Sequence, residues 1–349
     1  MSTRLITYRE AITEAIREEM ERDERVFVYG LDVADFKRTF GSGKGLLEQF
    51  GPKRYFSTPL SEDALMGMGV GAAITGLRPV NVHIRVDFLL LTMNQLTNIV
   101  SCWRYTTGGA LCVPLTIRAV TGRGWGQGMQ HSKTMQSIFA HIPGLKVIAP
   151  STAADVKGLL KSAIRDDNPV LVVEQRWLYD TPGEVPSDPD YLEPIGAPRR
   201  IREGSDITVV GISWMVVEAV KAAEILVQRG VQVEVIDPRT ISPLDYTMIY
   251  ASVKKTGYCI VADYDWLTCG FSAEVAARVQ EHCFRELKSP VTRVGFAETP
   301  CPTTRPLENR FYSNAVNIIR TIEQKLGLLE TDLRGEEFYS YENKFKGPF

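Results

Sequence analysis

The sequence predicts an α/β fold with two parallel-sheet domains, the second the smaller. Three observations carry this: short β-branched runs that are close to continuously apolar, helical stretches between them, and a break in mid-chain after which the same alternation restarts. Strands apolar on both faces belong to a sheet covered by helices on both sides, which is the parallel arrangement. At 349 residues the chain is long for a single core.

The elements follow in order. Thr7 and Glu10 form a capping box, and Ile12, Ala15, Ile16 and Met20 recur behind it at helical spacing, so the chain opens with an amphipathic helix. Strands are expected at 26–30 (VFVYG), 79–84 (PVNVHI), 113–120 (VPLTIRAV), 145–151 (LKVIAPS) and 169–175 (PVLVVEQ). RYFSTP, 54–59, reads as a further strand that gives way at Ser61 to a small-residue helix carrying Gly67, Gly69 and Gly71. From 176 to 205 Pro, Gly and charge replace any sustained period, and the stretch reads as a linker. Strands resume at 207–213, 231–237, 258–263 and 291–297. A helix with the stripe Val216, Val220, Ala223 and Val227, stopped by Gly230, lies between the first two of these. The tail from 331 holds five aromatics among charges without a period, which leaves fraying and docking on a partner as its two readings.

Composition excludes several classes of function. Forty basic residues against 42 acidic ones give a net charge of −2, so no global field holds nucleic acid or an anionic membrane. The most apolar run, FLLLTMNQLTNIV, is interrupted by Asn94, Gln95 and Asn98 and is too short to span a bilayer. The N-terminus is acid-rich and lacks an apolar signal core, and the six cysteines form no Cys-x-x-Cys pair. Reduced thiols in a cytoplasmic protein are the expectation.

Four features are candidate sites. A dinucleotide fingerprint needs its glycines in the turn after a strand, whereas Gly67, Gly69 and Gly71 fall inside a helix, where close packing is the expected reason for them. Glu62 lies in the first turn of that helix, at the carboxyl edge of the sheet where ligands collect; complementing the helix dipole is its plainer role. His131, in QHSK, follows the glycine-hinged run GRGWGQG and is either a presented catalytic group or a loop residue. Thr152 and Asp155 open a helix with Val156, Leu159, Leu160 and Ala163 on one face, which ends at IRDDNP. The open carbonyls of that end, with Asp166 and Asn168, make either a hard-cation site or a polar C-cap turn.

The segments GKGLLEQFGPKRYFSTPLSEDALMGMGVGAAITGLRPV, QHSKTMQSIFAHIPGLKVIAPSTAADVKGLLKSAIRDDNPVLVVEQ, VEVIDPRTISPLD and SVKKTGYCIVAD stand in this order. Together they resemble the beta subunit of the thiamine-diphosphate-dependent decarboxylating component of 2-oxoacid dehydrogenase complexes, a transketolase-like family with pyruvate, branched-chain 2-oxoacid and acetoin members. The resemblance runs from about residue 5 to about residue 325. It implies a pyrimidine-binding domain over 1–190, a linker over 191–205, a transketolase C-terminal-like domain over 206–330 and a tail over 331–349.

The resemblance also implies roles. Glu62 would hydrogen-bond the aminopyrimidine of thiamine diphosphate and favour the imino tautomer, whose exocyclic nitrogen takes the thiazolium proton. A carboxyl group that keeps its proton near neutrality must be desolvated, and Leu60, Leu65 and Met66 are the expected apolar surroundings. Ile84 and Phe88 would line the pyrimidine, and His131 would stand on the thiazolium side and assist the substrate or a lipoyl acceptor. Leu115, Ala163, Ile164, Asp166 and Asn168 map onto a potassium site of some members. The Gly-Asp-Gly motif that holds magnesium and the diphosphate in related enzymes is missing from this sequence. That half of the site is expected from an alpha subunit in an alpha2-beta2 assembly, which passes its product to a lipoyl-bearing acyltransferase.

Three positions depart from the family pattern: Asn94 for the usual Asp, Lys133 for a frequent Gln, and Arg85 for an uncharged residue. Strand alternation sets Ile84 and Val86 on one face and His83 and Arg85 on the other. An interface salt bridge is the plain reading of Arg85; extra cations near the site would instead favour an anionic substrate. The leading function is a 2-oxoacid or acetoin dehydrogenase beta subunit. A split transketolase or carboligase acting on sugar or aldehyde acceptors is the alternative, and a non-catalytic scaffold is a third reading.

Overall fold

A computed structural model describes residues 2–122, 126–336 and 338; most of the aromatic tail lies outside the described residues. In chain order the first elements are β1 (Thr3–Thr7), α1 (Tyr8–Arg22), β2 (Val26–Leu31), α2 (Leu46–Phe50), β3 (Tyr55–Thr58), α3 (Glu62–Ile74), β4 (Arg78–Ile84) and α4 (Val86–Leu89). They are followed by α5 (Trp103–Thr106), β5 (Thr116–Thr121), α6 (Gln136–Ala140), β6 (Lys146–Ile148), α7 (Ala153–Arg165), β7 (Val170–Gln175) and β8 (Pro182–Pro186). The remainder comprises β9 (Arg199–Arg202), β10 (Ile207–Gly211), α8 (Trp214–Val227), β11 (Val233–Asp237), β12 (Thr240–Ser242), α9 (Thr247–Thr256) and β13 (Cys259–Trp266). The described elements close with α10 (Phe271–Cys283), β14 (Thr292–Phe296), α11 (Arg305–Phe311) and α12 (Ala315–Leu326).

The chain forms two compact units. One is Met1–Gly122 with Thr134–Gly196 and Thr240–Pro243; the other is Arg123–Lys133 with Ala197–Arg239 and Leu244–Phe349. The first holds a seven-stranded sheet in the order β12-β6-β7-β5-β4-β2-β3, parallel except for β12, and a β1-β8 ribbon. The second holds a five-stranded sheet in the order β14-β13-β10-β11-β9, parallel except for β9. The stretch expected as an unstructured linker therefore contributes β8 and β9. Each is an edge strand with a single partner, and prolines bound β8, so neither carries the apolar period that marks a strand in sequence.

A buried ion pair joins two apolar strands of the first sheet. β5 and β7 are buried throughout, and Arg118 of β5 reaches Glu174 of β7 with Nε–Oε1 2.5 Å and Nη2–Oε2 2.8 Å. Arg118 also donates to Ser42 Oγ at 2.9 Å, and Tyr179 Oη donates to Glu174 at 2.6 Å, so each buried charge has a further hydrogen bond besides its ion-pair partner.

The capping box at Thr7 and Glu10 is present, and the stripe Ile12, Ala15, Ile16 and Met20 is buried. On α7 the stripe Val156, Leu159, Leu160 and Ala163 is also buried, but so are Lys157 and Lys161. Their ammonium groups meet Glu14 and Glu18 of α1, while Arg165 pairs with Glu19, so the two helices are joined by a ladder of opposite charges. On α8 the buried face is centred on Met215, Ala219, Ala222 and Leu226; Val220 and Val227 of the expected stripe are half-buried.

Candidate active site

In the first unit β2 is followed by β3 on one side of the sheet and β4 by β5 on the other, so the connections diverge between the neighbours β2 and β4. Such a switch point opens a crevice at the carboxyl ends of the strands. A cleft open to solvent lies there, formed by Gly30 and Leu31 of β2, Asn81 to Ile84 of β4, the turn into α3, and Phe88.

Glu62 is the first residue of α3, with Ser61 as its N-cap. It lines the cleft, is half-buried, and among the described residues its carboxylate has no hydrogen-bond or ion-pair partner. The N-terminal dipole of α3 favours negative charge there. Ile84 and Phe88 line the same cleft, so the structure brings three sequence-predicted residues together. The apolar wall expected around Glu62 is incomplete: Met66 is buried and Leu65 half-buried, but Leu60, though it lines the cleft, is 72% exposed.

Two glycines set this geometry. Tyr29 Oη donates to the Leu65 carbonyl at 3.0 Å, and a Cβ on Gly69 would stand 2.0 Å from that hydroxyl oxygen. Packing therefore demands Gly69, whereas a Cβ on Gly67 would find only ordinary contacts and one on Gly71 would meet nothing within 4 Å. A Cβ on Gly30 would lie 2.3 Å from the Val82 carbonyl, so β2 and β4 approach closely beneath the cleft only with glycine there.

The sequence reading missed His83. Alternation places it opposite Ile84, yet both line the cleft, because β4 ends at Ile84 and the chain turns into α4. Val86 and Arg85 consequently follow no strand alternation: Arg85 is the N-cap of α4 and is buried, with its guanidinium over the Phe40 ring at 5.6 Å. Asn81 Nδ2 points to the Tyr29 carbonyl at 3.5 Å, which turns Asn81 Oδ1 toward His83 Nε2 at 2.5 Å. An amide oxygen only accepts, so Nε2 carries the proton. Burial lowers the pKa of this imidazole to about 4, so it is neutral at physiological pH. A histidine within a strand, one residue from an expected lining position, is the signal that was available.

His131 belongs to the second unit, just after a turn of 3₁₀ helix at Gly128–Gln130. It is half-buried, its backbone N–H donates to the Gly128 carbonyl at 3.3 Å, and the neighbouring Ser132 carbonyl accepts from Tyr312 Oη at 3.2 Å. Glu62 and His131 are thus carried by different units.

The five residues of the expected potassium site meet at the C-terminal end of α7. The Ile164 and Asp166 carbonyls accept from Arg78 Nη1 at 3.0 and 3.1 Å, and the Ala163 carbonyl accepts the Asp166 N–H at 3.2 Å. Leu115 joins them because its carbonyl accepts the Val170 N–H at 3.0 Å, and Asn168 Oδ1 accepts from Arg104 at 3.0 Å. Burial alone raises the Asp166 carboxyl, but Lys146 and Asn168 outweigh it and hold the group below its ordinary value. Each of the oxygens named here thus accepts a hydrogen bond from protein, and a carbonyl that accepts one keeps a second lone pair.

Fold and cleft together define a chain of the transketolase type. The transketolase pyrimidine-binding domain family matches residues 4–182, and the transketolase C-terminal domain family matches residues 196–318. The chain is 38% identical over 326 residues to the pyruvate dehydrogenase E1 component subunit beta, mitochondrial, of Dictyostelium discoideum, covering 93% of this chain and 92% of the relative. It is 38% identical over 319 residues to the corresponding subunit of Rickettsia bellii, covering 91% and 98%. Among solved structures, a split-gene transketolase described as an inactive beta4 tetramer superposes with a TM-score of 0.72 at 22% identity, over 93% of this chain and 99% of that one. This chain belongs to the family of beta subunits of the E1 component of 2-oxoacid dehydrogenases. Among the described residues no helix is long and apolar enough to cross a membrane.

Proposed function

We propose that the chain is the beta subunit of a thiamine-diphosphate-dependent 2-oxoacid dehydrogenase and supplies the pyrimidine half of a cofactor site completed by an alpha subunit. One observation carries this reading: a carboxylate without a partner among the described residues, Glu62, at the head of a helix in a cleft at the sheet's switch point that Ile84 and Phe88 also line. Ile84 and Phe88 would sandwich an aminopyrimidine, and Glu62 would hold a proton against a ring nitrogen. Bound there, the cofactor supplies the nucleophile for decarboxylation. The chain's own groups orient the ring, keep water from it and hold that proton. His131 would assist acyl transfer to a lipoyl-bearing acyltransferase.

Magnesium and the diphosphate fall to the alpha subunit, in an alpha2-beta2 assembly, because this sequence lacks Gly-Asp-Gly. A potassium ion at Leu115, Ala163, Ile164, Asp166 and Asn168 would share carbonyls with Arg78, so it would bind weakly. A melting temperature equal in potassium, sodium and choline chloride at matched ionic strength would remove it from the account. A cytoplasmic location is supported by six free cysteines. The relatives' names point to pyruvate; another 2-oxoacid or an acyloin such as acetoin is the variant to separate from it. Reconstitution with the alpha subunit and a panel of 2-oxoacids, acetoin and aldehyde acceptors, scored by acyl-lipoamide formation, tests the proposal. Turnover only with sugar or aldehyde acceptors would favour the transketolase reading.

A further inference from the structure

Tyr312 follows α11 directly, is 2% exposed, and sits in an aromatic cage. Its ring stacks on Tyr264 at 5.4 Å and 7° and meets the edges of Phe296 and Phe311 at 5.0 and 4.8 Å. Packing on three sides fixes this ring, so its hydroxyl is a donor at a fixed place. That hydroxyl donates to the Ser132 carbonyl at 3.2 Å, one residue from His131, with Cys301 Sγ at 3.6 Å on its other side. A second hold comes from the segment before α11: a Cβ on Gly128 would stand 2.9 Å from Thr303 Oγ1, so the backbone of the His131 loop lies directly against Thr303. The loop itself has left-handed glycines at 126 and 128 and needs such holds to keep one conformation.

We propose that Tyr312 is a positioning residue for His131: its hydroxyl pins the Ser132 carbonyl and so fixes the backbone from which the imidazole projects. Burial raises the phenol's pKa well above its ordinary value, so it remains a donor throughout the working pH range. The catalytic part of the inference rests on the proposed role of His131 in acyl transfer; the anchoring part does not.

Tyr312→Phe removes one oxygen and keeps the caged ring. In the full chain assembled with its alpha subunit, amide hydrogen exchange of residues 127–134 is expected to rise roughly fivefold, the worth of one hydrogen bond, while β10 and β13 are unchanged. Acyl transfer to lipoamide should fall by a similar factor, decarboxylation read with an artificial electron acceptor should hold, and Tyr312→Phe added to His131→Asn should cost nothing more. Unchanged exchange in the loop would overturn the proposal, as would a loss that adds in full to that of His131→Asn. Faster exchange together with a His131→Asn variant of undiminished acyl transfer would leave the anchor standing and sink the assigned role of His131.

Discussion

The hydroxyl of Tyr29 occupies the space that a side chain at Gly69 would need: it bonds the Leu65 carbonyl at 3.0 Å and stands 2.0 Å from an ideal Cβ on Gly69. This contact fixes the height of α3 over β2, and with it the position of Glu62 at the helix's first residue. Gly69→Ala should therefore destabilise the chain by about 1–3 kcal/mol despite the better helix propensity of alanine. Adding Tyr29→Phe should restore part of the loss in urea unfolding. Gly71→Ala, with open space around it, should be neutral or stabilising by up to about 1 kcal/mol in the isolated chain.

His83 makes stability pH-dependent. Its pKa falls from 6.5 to about 4 on folding. Between these values the unfolded chain binds a proton that the folded chain does not, so the contribution is intact above pH 6.5 and is lost as pH drops toward 4. The span amounts to on the order of 3 kcal/mol. The difference in unfolding free energy between pH 7 and pH 5 should shrink in His83→Gln, and an identical pH profile would show that His83 is not the group responsible.

The pair of Arg118 and Glu174 should tolerate no half-removal. Arg118→Met leaves a buried carboxylate with Tyr179 alone, at an expected cost of about 3–5 kcal/mol. Replacing both residues with apolar ones should recover most of it, as read by the urea midpoint of the two variants.

Much of the first unit was legible because its physics is local. β5 and β7 read as continuous apolar runs, and Thr7–Glu10 and Thr152 mark helix starts through short-range hydrogen bonds. Glu62 was legible from its place where a strand gives way to a helix at the sheet's carboxyl edge, Ile84 and Phe88 through resemblance, and the structure unites the three in one cleft. What stayed hidden depends on distant partners. Lys157 and Lys161 look like solvent-facing residues until α1 supplies their glutamates, and β9 is a strand only because β11 is beside it. Alternation was carried past the end of β4 to Arg85 and Val86, and His83, next to the strand's last residue, was missed as a lining group. The link between Tyr312 and Ser132 spans 180 residues and has no sequence signature.

The most direct test of the central claim is calorimetric binding of thiamine diphosphate with magnesium to this chain, to its mixture with the alpha subunit, and to the same mixture carrying Glu62→Gln. The account predicts tight binding in the mixture alone, weakened roughly ten- to a hundredfold by the substitution, the worth of one hydrogen bond to a charged group. Tight binding by the lone chain, or a Glu62→Gln mixture that binds as well as the unaltered one, would contradict it.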